Sequence, residues 1–193
     1  MNVVIVDYKA GNVQSVLFAL ERLGVQATLS ADAETIRAAD KVIFPGVGEA
    51  SSAMAQLKAR NLDKLLPTLE QPFFGVCLGM QLLCQHSAEG DTDLLGIIPA
   101  KVLRFQTDLK VPHMGWNRLE NLQSPLFEGI PEQEYVYYVH SFYVPVGEYT
   151  IAQSSYPAPF SAALQYKNFY AAQFHPEKSG PAGAQILKNF LAL

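Results

Sequence analysis

Short apolar runs alternate with helical patterns in the first third of the chain. The apolar runs cover residues 3–6, 25–29, 42–44 and 73–76, and their continuous hydrophobicity predicts strands that are buried on both faces. Between the first two runs, apolar residues recur at helical spacing on one face, and Gly24 follows them as a helix stop. Because crossovers between parallel strands are right-handed and pack a helix onto the sheet, this pattern predicts an α/β fold with an open, mostly parallel sheet flanked by helices.

The second half of the chain has a different pattern. From about residue 101, closely spaced β-type segments are separated by Pro, Gly and Asn turns, which predicts antiparallel strands at 101–105, 134–139, 149–153, 161–166 and 169–174. A last amphipathic helix is predicted over residues 182–191, packed on the main sheet. Since the 193 residues contain no linker, internal repeat or low-complexity tract, we expect a single domain over residues 1–193.

The composition limits which binding partners and which cellular compartment we expect for the protein. The 14 basic and 18 acidic residues give a net charge of -4, and the isoelectric point is near 5.5, so we expect neither nucleic acid nor an anionic membrane as a partner. No apolar run approaches the ~18 residues of a membrane span, and no signal-like leader is seen, which makes the cytoplasm the expected compartment. The only cysteines, Cys77 and Cys84, form neither a disulfide framework nor a metal-binding CxxC pattern, so we expect reduced thiols. We also expect that the protein needs no metal or organic cofactor.

The most informative segment is a strand that passes through G-x-C-x-G directly into a helical pattern, at residues 73–81. This arrangement is typical of a nucleophile elbow, in which the central residue lies on a strained turn and small flanking residues relieve crowding. Gly75 and Gly79 meet that requirement, and the start of the helix favours the reactive thiolate of Cys77. A cysteine can alternatively have no catalytic role and serve only as a small, buried hydrophobic side chain. That interpretation is kept for Cys84, which lacks the flanking glycines, whereas Cys77 is the predicted nucleophile.

A thiolate that attacks an acyl group needs a partner to manage protons. Four histidines are candidates: His86, His113, His140 and His175. In an extended segment, side chains two residues apart point to the same side, so Glu177 can orient the ring of His175. Neither His113 nor His140 is followed by a carboxylate at that spacing. The predicted catalytic triad is therefore Cys77, His175 and Glu177, in which the acid selects the tautomer and supports the imidazolium.

The tetrahedral oxyanion of such a reaction needs hydrogen-bond donors. The segment at residues 44–48 leaves the third strand at its carboxyl end, where ligands bind in open α/β folds. Gly46 and Gly48 would let this loop approach a ligand closely, and the backbone N–H groups of Val47 and Gly48 are candidate donors. The N–H group of Leu78, just after the nucleophile, is the second candidate. An ordinary glycine turn is the alternative for this loop.

These residues resemble the class I, or triad-type, glutamine amidotransferases. The resemblance rests on G-V-C-L-G-M-Q at residues 75–81 and H-P-E at residues 175–177, and it spans nearly the whole chain. Within that family, P-H-M-G-W-N at residues 112–117 and Y-V-H-S-F-Y at residues 138–143 are similar to the glutaminase subunits of imidazole glycerol phosphate synthases. The resemblance implies a flavodoxin-like sheet and hydrolysis of L-glutamine through a thioester on Cys77, with ammonia as the useful product.

The same resemblance implies further site residues. Gln81 and Glu89 match positions that hold the bound glutamine, and these side chains suit an amino-acid ligand because a carboxylate can pair with its ammonium group. Ser141 lies in a segment that implies backbone contacts to the carboxyl end of the substrate. The resemblance also implies a heterodimer with a (β/α)₈-barrel cyclase, whose contact surface would include Asn12, His113 and Trp116.

Three alternatives stay open at this point. A glutaminase of the same fold could serve another synthase, such as one that makes pyridoxal phosphate or GMP. A catalytically silent regulatory module could also use this scaffold, because a fold does not establish an activity. Other thiol hydrolases of similar architecture form the third alternative. The glycines on both sides of Val47 add a hypothesis of control, in which docking of the partner aligns the N–H groups that receive the oxyanion.

Overall fold

A computed structural model describes residues 1–9 and 13–193 of the chain. The strands are β1 (Val3–Val6), β2 (Ala27–Ser30), β3 (Lys41–Gly46), β4 (Phe73–Cys77), β5 (His86–Ser87), β6 (Thr92–Asp93), β7 (Lys101–Arg104), β8 (His113–Arg118), β9 (Tyr135–His140), β10 (Phe142–Tyr143), β11 (Thr150–Ser155), β12 (Pro159–Tyr166) and β13 (Phe169–Ala172). The helices are α1 (Val13–Arg22), α2 (Ala33–Arg37), α3 (Ala50–Ala59), α4 (Leu62–Leu65), α5 (Leu78–Leu82) and α6 (Gly180–Ala192). None of the helices in this described part of the chain is long and apolar enough to cross a membrane.

Seven strands form the central sheet, in the order β11-β12-β13-β4-β3-β1-β2. Neighbouring strands from β13 to β2 are parallel, and β11 and β12 extend the sheet with antiparallel pairing. The predicted open, mostly parallel sheet flanked by helices is confirmed. The carboxyl ends of β3 and β4 lie side by side because Gly46 pairs with Cys77. This edge is where an open α/β sheet places its ligand.

The central strands β1, β3 and β4 are buried on both faces, as their continuous apolar sequences predict. The strand β2 differs from that prediction because it lies at the edge of the sheet, where Leu29 is exposed. Alternate residues of β1 point to opposite faces, so Val4 and Val6 pack with α2, α3 and α4, while Val3 and Ile5 pack with α1 and α6. The apolar face of α1 contributes Val16, Ala19 and Leu20 to the second core. The helix stops as predicted, since Gly24 has φ +77°, a left-handed conformation that glycine adopts without a steric penalty.

The antiparallel half differs from the prediction in two respects. The strand predicted at 169–174 was expected to be antiparallel, but β13 pairs parallel with β4 on one side and antiparallel with β12 on the other. The sequence pattern also missed β8, which forms a two-stranded antiparallel ribbon with β9. Its residues alternate between more and less buried positions, but the mixture of His, Met, Gly, Trp, Asn and Arg lacks the usual β-type composition.

Candidate active site

The predicted nucleophile elbow is present where β4 meets α5. Cys77 ends β4 with φ +56° and ψ -111°, a strained backbone conformation for a residue that has a side chain. A Cβ atom at Gly79 would overlap the carbonyl oxygen of Phe44, and one at Gly75 would lie 2.9 Å from the carbonyl oxygen of Gly79. The two glycines therefore allow α5 to pack directly on β3 and β4. The thiol of Cys84 is fully buried, and burial raises its pKa to about 12.

The predicted partners of the nucleophile form a buried pair. His175 Nδ1 lies 2.7 Å from Glu177 Oε1, and both side chains are only 2% exposed. Their local conformation differs from the extended one that was predicted, because Pro176–Lys178 forms a single 3₁₀ turn. Ser179 stabilises this turn by donating its hydroxyl proton to the carbonyl oxygen of His175. The structure brings the imidazole and the carboxylate together as the sequence spacing suggested.

The electrostatic setting of His175 favours its protonated form. Burial alone would lower the pKa of the ring, but the Cys77 sulfur and the Glu177 carboxylate outweigh this effect and raise it to about 10. With Nδ1 bound to Glu177, the buried Nε2 is the ring nitrogen left to interact with the Cys77 sulfur, and it has no hydrogen bond to a nitrogen or oxygen atom of the described residues. An imidazolium whose Nε2 is free can donate a proton to a group that binds beside the sulfur.

A cavity of about 310 Å³ opens over the Cys77 sulfur. Its volume suits a small ligand such as an amino acid. Most of the predicted site residues border it, together with parts of β9 and β10: Val47, Gly48, Cys77, Leu78, Gln81, Glu89, Pro112, Val139, His140, Ser141, Phe142 and His175. The structure thus places the predicted triad residues, donors and substrate contacts around one cavity, except for Gly46 and for Glu177, which lies behind His175.

Gly46 was predicted to let its loop approach a ligand, and in the structure it approaches α5 and Tyr8 closely. It is the last residue of β3 and does not border this cavity. A Cβ atom there would lie 2.6 Å from the Tyr8 hydroxyl oxygen and 2.8 Å from the backbone nitrogen of Gly79. Tyr8 also donates its hydroxyl proton to the carbonyl oxygen of Pro45, at 2.9 Å. Gly46 is therefore required for packing between β3, α5 and Tyr8, and the ligand-facing part of the segment begins at Val47.

Glu89 borders the cavity while it also binds the loop that leads into α3. Its Oε2 accepts a hydrogen bond of 2.8 Å from the backbone nitrogen of Ala50, the first residue of that helix. Burial raises the pKa of this carboxyl group, and the hydrogen bond from Ala50 opposes the shift. The carboxylate can thus meet a cationic group of a ligand while it holds the segment after Gly48 in place.

Two histidines that were not selected as the partner of the nucleophile form a buried, hydrogen-bonded pair beside the cavity. His113 Nδ1 lies 2.9 Å from His140 Nε2, and His140 Nδ1 lies 2.8 Å from the carbonyl oxygen of Phe142. Because a carbonyl can only accept, His140 donates to it from Nδ1 and accepts from His113 at Nε2. Burial lowers the pKa of His113 to about 4 and that of His140 to about 3, so both rings are neutral at neutral pH.

The three predicted partner-contact residues have different positions. Trp116 is 55% exposed on β8, and Met114 beside it on the same face is 62% exposed. His113 points to the opposite face of that strand and is only 4% exposed, with its ring stacked on Tyr138 and Tyr156. The expectation that His113 forms a contact surface is therefore corrected, because strand alternation turns it inward. Asn12 lies outside the described residues.

Sequence reasoning also missed Gln173, which is fully buried next to the nucleophile. Its Nε2 lies 3.9 Å from the Cys77 sulfur, and its Oε1 accepts a hydrogen bond of 2.9 Å from Gln81. The signal that could have found it is a single amide side chain near the end of the predicted strand at 169–174, two residues before His175. Within the described ranges, no group of three or more His, Cys, Asp or Glu side chains is arranged to hold a metal ion.

Comparisons with known proteins agree with this geometry. The family model of glutamine amidotransferase class-I matches residues 4–193. Imidazole glycerol phosphate synthase subunit HisH from Bacteroides thetaiotaomicron is 57% identical over 196 aligned residues, which cover 100% of both chains. HisH from Vibrio cholerae is 50% identical and covers 100% of this chain and 98% of its own.

A solved structure shares the fold at low sequence identity. It is described as a glutamine amidotransferase, with a TM-score of 0.78 and 21% identity, and the match covers 99% of this chain and 98% of that one. At this identity the likeness shows only a common architecture. The family model and the full-length relatives go further, and they show that the chain belongs to the class I glutamine amidotransferases, in the group named imidazole glycerol phosphate synthase subunit HisH.

Proposed function

We propose that the protein hydrolyses L-glutamine to L-glutamate and ammonia through a thioester on Cys77, and passes the ammonia to a cyclase subunit. The observation that carries this proposal is the strained elbow cysteine sharing one cavity with a buried His175–Glu177 pair. The 57% identical relative is named a subunit of imidazole glycerol phosphate synthase. The cyclase would accordingly make imidazole glycerol phosphate and AICAR in histidine biosynthesis.

The proposed reaction begins with attack of the Cys77 thiolate on the side-chain carboxamide carbon of glutamine. A carbon–sulfur bond forms, and the carbonyl electron pair moves to the oxygen of a tetrahedral intermediate. The His175 imidazolium donates its Nε2 proton to the departing nitrogen, so that ammonia leaves as the carbon–nitrogen bond breaks. The free Nε2 position and the raised pKa of His175 support this acid role.

Hydrolysis of the thioester returns the site to its first state. The neutral His175 ring accepts a proton from a water molecule, whose oxygen attacks the thioester carbon while the thiolate leaves. Glutamate is released, and the imidazolium is regenerated. Glu177 keeps Nδ1 of His175 hydrogen bonded throughout, which leaves Nε2 as the only nitrogen that can exchange protons with the reactants.

The oxyanion would be stabilised by backbone N–H groups on two segments. Leu78 follows the nucleophile at the start of α5, and Val47 and Gly48 follow the end of β3, so both segments border the cavity at the sulfur. Removing one such donor typically costs about a hundredfold to a thousandfold in rate. Gly48 has φ +102°, so the peptide around it can adopt orientations that other residues avoid. This conformational freedom supports the hypothesis that partner docking aligns the donors.

Substrate recognition would rest on Gln81, Glu89 and Ser141, all of which border the cavity. The Glu89 carboxylate is suited to the α-ammonium group of glutamine, and the backbone at Ser141 is suited to its carboxyl end. The proposed contact surface for the (β/α)₈-barrel cyclase is the exposed face of β8 around Met114 and Trp116. These two large apolar side chains are exposed side by side on one face of the strand, which supports an interface there.

The proposal is tested by adding candidate cyclase subunits to the purified protein and measuring glutamate release. Stimulation by the imidazole glycerol phosphate cyclase alone is expected, because the full-length relatives are named subunits of that synthase. Stimulation by a pyridoxal phosphate or GMP synthase instead would reassign the pathway, and no turnover with any partner would indicate a silent module. Cys77→Ser should lower the rate by about a thousandfold or more without changing the melting temperature by more than a few degrees.

A further inference from the structure

The buried amide of Gln173 connects the nucleophile to the substrate cavity. Its side chain lies between the Cys77 sulfur, 3.9 Å from Nε2, and the amide of Gln81, 2.9 Å from Oε1. The backbone of Gln173 is held by β12, since its N–H donates to the carbonyl oxygen of Ala162 at 2.8 Å. Gln173 is fully buried and both ends of its amide are bonded. Replacing it is costly because its buried partners, Gln81 and the Cys77 sulfur, would each lose a hydrogen bond.

The orientation of both amides follows from the chemistry of their neighbours. Gln81 lies 3.0 Å from the carbonyl oxygen of Phe142, which can only accept, so the amide nitrogen of Gln81 faces it. The second hydrogen of that nitrogen reaches Gln173, which must therefore present its oxygen to Gln81. The remaining amide nitrogen of Gln173 then faces the sulfur. This assignment does not depend on distinguishing oxygen from nitrogen in the amides themselves.

The Phe142 carbonyl group, which determines the orientation of both amides, is itself held by hydrogen bonds. Phe142 O also accepts a hydrogen bond of 2.8 Å from His140 Nδ1, and His140 accepts one from His113 on β8. The side-chain nitrogen of Asn117, on the same strand, lies 3.3 Å from His113 Nε2. The Phe142 carbonyl oxygen therefore joins two hydrogen-bonded chains. One leads through the two histidines to β8, and the other leads through Gln81 and Gln173 to the Cys77 sulfur.

We propose that Gln173 is a positioning residue with two tasks: it orients the amide of Gln81, and it donates an N–H group to the Cys77 sulfur. With both hydrogens of Gln81 Nε2 donated within the protein, Oε1 is the group that Gln81 offers to a ligand in the cavity. The substrate must then present an N–H group at this point. The inference rests on the proposed function for the substrate, but the bond to the sulfur can be tested without glutamine.

The test uses Gln173→Met, Gln81→Met and the double variant. Methionine has a similar length but neither donates nor accepts as an amide does. Gln71→Met is the matched control, because Gln71 also donates from Nε2 to a carbonyl oxygen, that of Ile36 at 2.8 Å, but precedes β4 at the end opposite Cys77. The first readout is the rate of Cys77 alkylation by iodoacetamide across pH, with the label located by mass spectrometry. The second readout is kcat and KM for glutamine in the complex with the cyclase.

We expect Gln173→Met to slow alkylation at neutral pH by about tenfold, the effect of losing one hydrogen bond to a charged group. Gln81→Met should change alkylation less and raise KM. Because Gln173 acts on the substrate through Gln81, the KM increases of the two single variants should not multiply in the double variant. The Gln71→Met control should alkylate at the wild-type rate.

Three outcomes would overturn or limit the inference. Wild-type alkylation of a folded Gln173→Met variant at every pH would refute the bond to the sulfur, and multiplying KM effects would refute the orientation of Gln81. If Gln173→Met does not fold, Gln173→Asn replaces it, since the shorter amide cannot span both partners and should still slow alkylation. Slower alkylation in a protein that hydrolyses no glutamine with any partner would refute the proposed function while supporting the bond to the sulfur.

Discussion

The close packing of the elbow helix on β3 can be tested by adding a single methyl group. In Gly79→Ala, the new Cβ atom would overlap the carbonyl oxygen of Phe44. That carbonyl belongs to a strand with neighbours on both sides, β1 and β4, so it cannot rotate away. The helix α5 must move instead. Because α5 follows Cys77 directly, the movement displaces the Leu78 N–H group and the sulfur together.

The expected cost is large for one methyl group. Overpacking a core typically costs about 1–3 kcal/mol, and a clash with rigid backbone lies at the upper end of that range. For a chain of this size, each kcal/mol corresponds to about 2–4 °C in melting temperature, so a decrease of roughly 6–12 °C is expected. A displacement of about 1 Å at the nucleophile should also lower kcat/KM by about a hundredfold.

Thermal unfolding and glutamine hydrolysis with the cyclase present measure the two effects. Gly147→Ala is the matched control, since a Cβ atom there has no neighbour within 4 Å and the backbone has no positive φ. It should leave activity unchanged and shift the free energy of unfolding by less than about 1 kcal/mol. If Gly79→Ala behaves like this control in both assays, the packing argument for the elbow is refuted.

The remaining predictions concern the charged and titratable groups. Glu177→Gln should lower kcat at least a hundredfold with little change in KM, because the amide cannot stabilise the His175 imidazolium; steady-state kinetics at wild-type levels would contradict this. Glu89→Gln should raise KM about tenfold and change kcat less than twofold, since it removes the charge that faces the substrate ammonium; an equal loss in kcat would argue for a different role. The lowered pKa values of His113 (about 4) and His140 (about 3) mean that their contribution to stability is complete above the unfolded value of 6.5 and is lost as pH falls. Denaturant unfolding should therefore show a decrease of up to about 1.4 kcal/mol per pH unit for each ring as pH falls from 6.5 toward 4, and a constant free energy of unfolding over that range would exclude neutral buried rings.

The features predicted best from sequence are those whose cause is local. The elbow needs a nucleophile between two glycines at the end of a buried strand, and all of these requirements fall within five residues, Gly75 to Gly79. The pairing of His175 with Glu177 is also local, and it was predicted even though the turn at Pro176–Lys178 is helical rather than extended. The pairing survives because His175 itself keeps an extended conformation, with φ -100° and ψ 96°, just before the turn begins.

Features that depend on a neighbouring strand were predicted less well. The apolar run at residues 42–44 indicates a strand that ends at Phe44, but pairing with β4 extends β3 to Gly46. Gly46, which was predicted to lie in a loop near the ligand, is therefore part of the sheet, and its lack of a side chain lets α5 pack closely on β3. The strand β8 was missed for a related reason. Among the strands of the described residues it pairs with β9 alone, and one of its faces is exposed, so most of its side chains need not be apolar.

Residues that act through distant partners left the weakest signal in the sequence. Gln173 is 96 positions from Cys77 and 92 from Gln81, and only the fold brings the three together. Sequence reasoning weighed each histidine by its neighbours along the chain, and that criterion selects His175, whose ring is paired with Glu177 in the structure. It cannot detect His113 and His140, whose partners are each other and the Phe142 carbonyl. A polar residue in an otherwise apolar strand is costly to bury unless the fold supplies its partners. The one amide side chain in the predicted strand at 169–174 was therefore a sign of a hydrogen-bonded site, although nothing in the sequence could identify its partners.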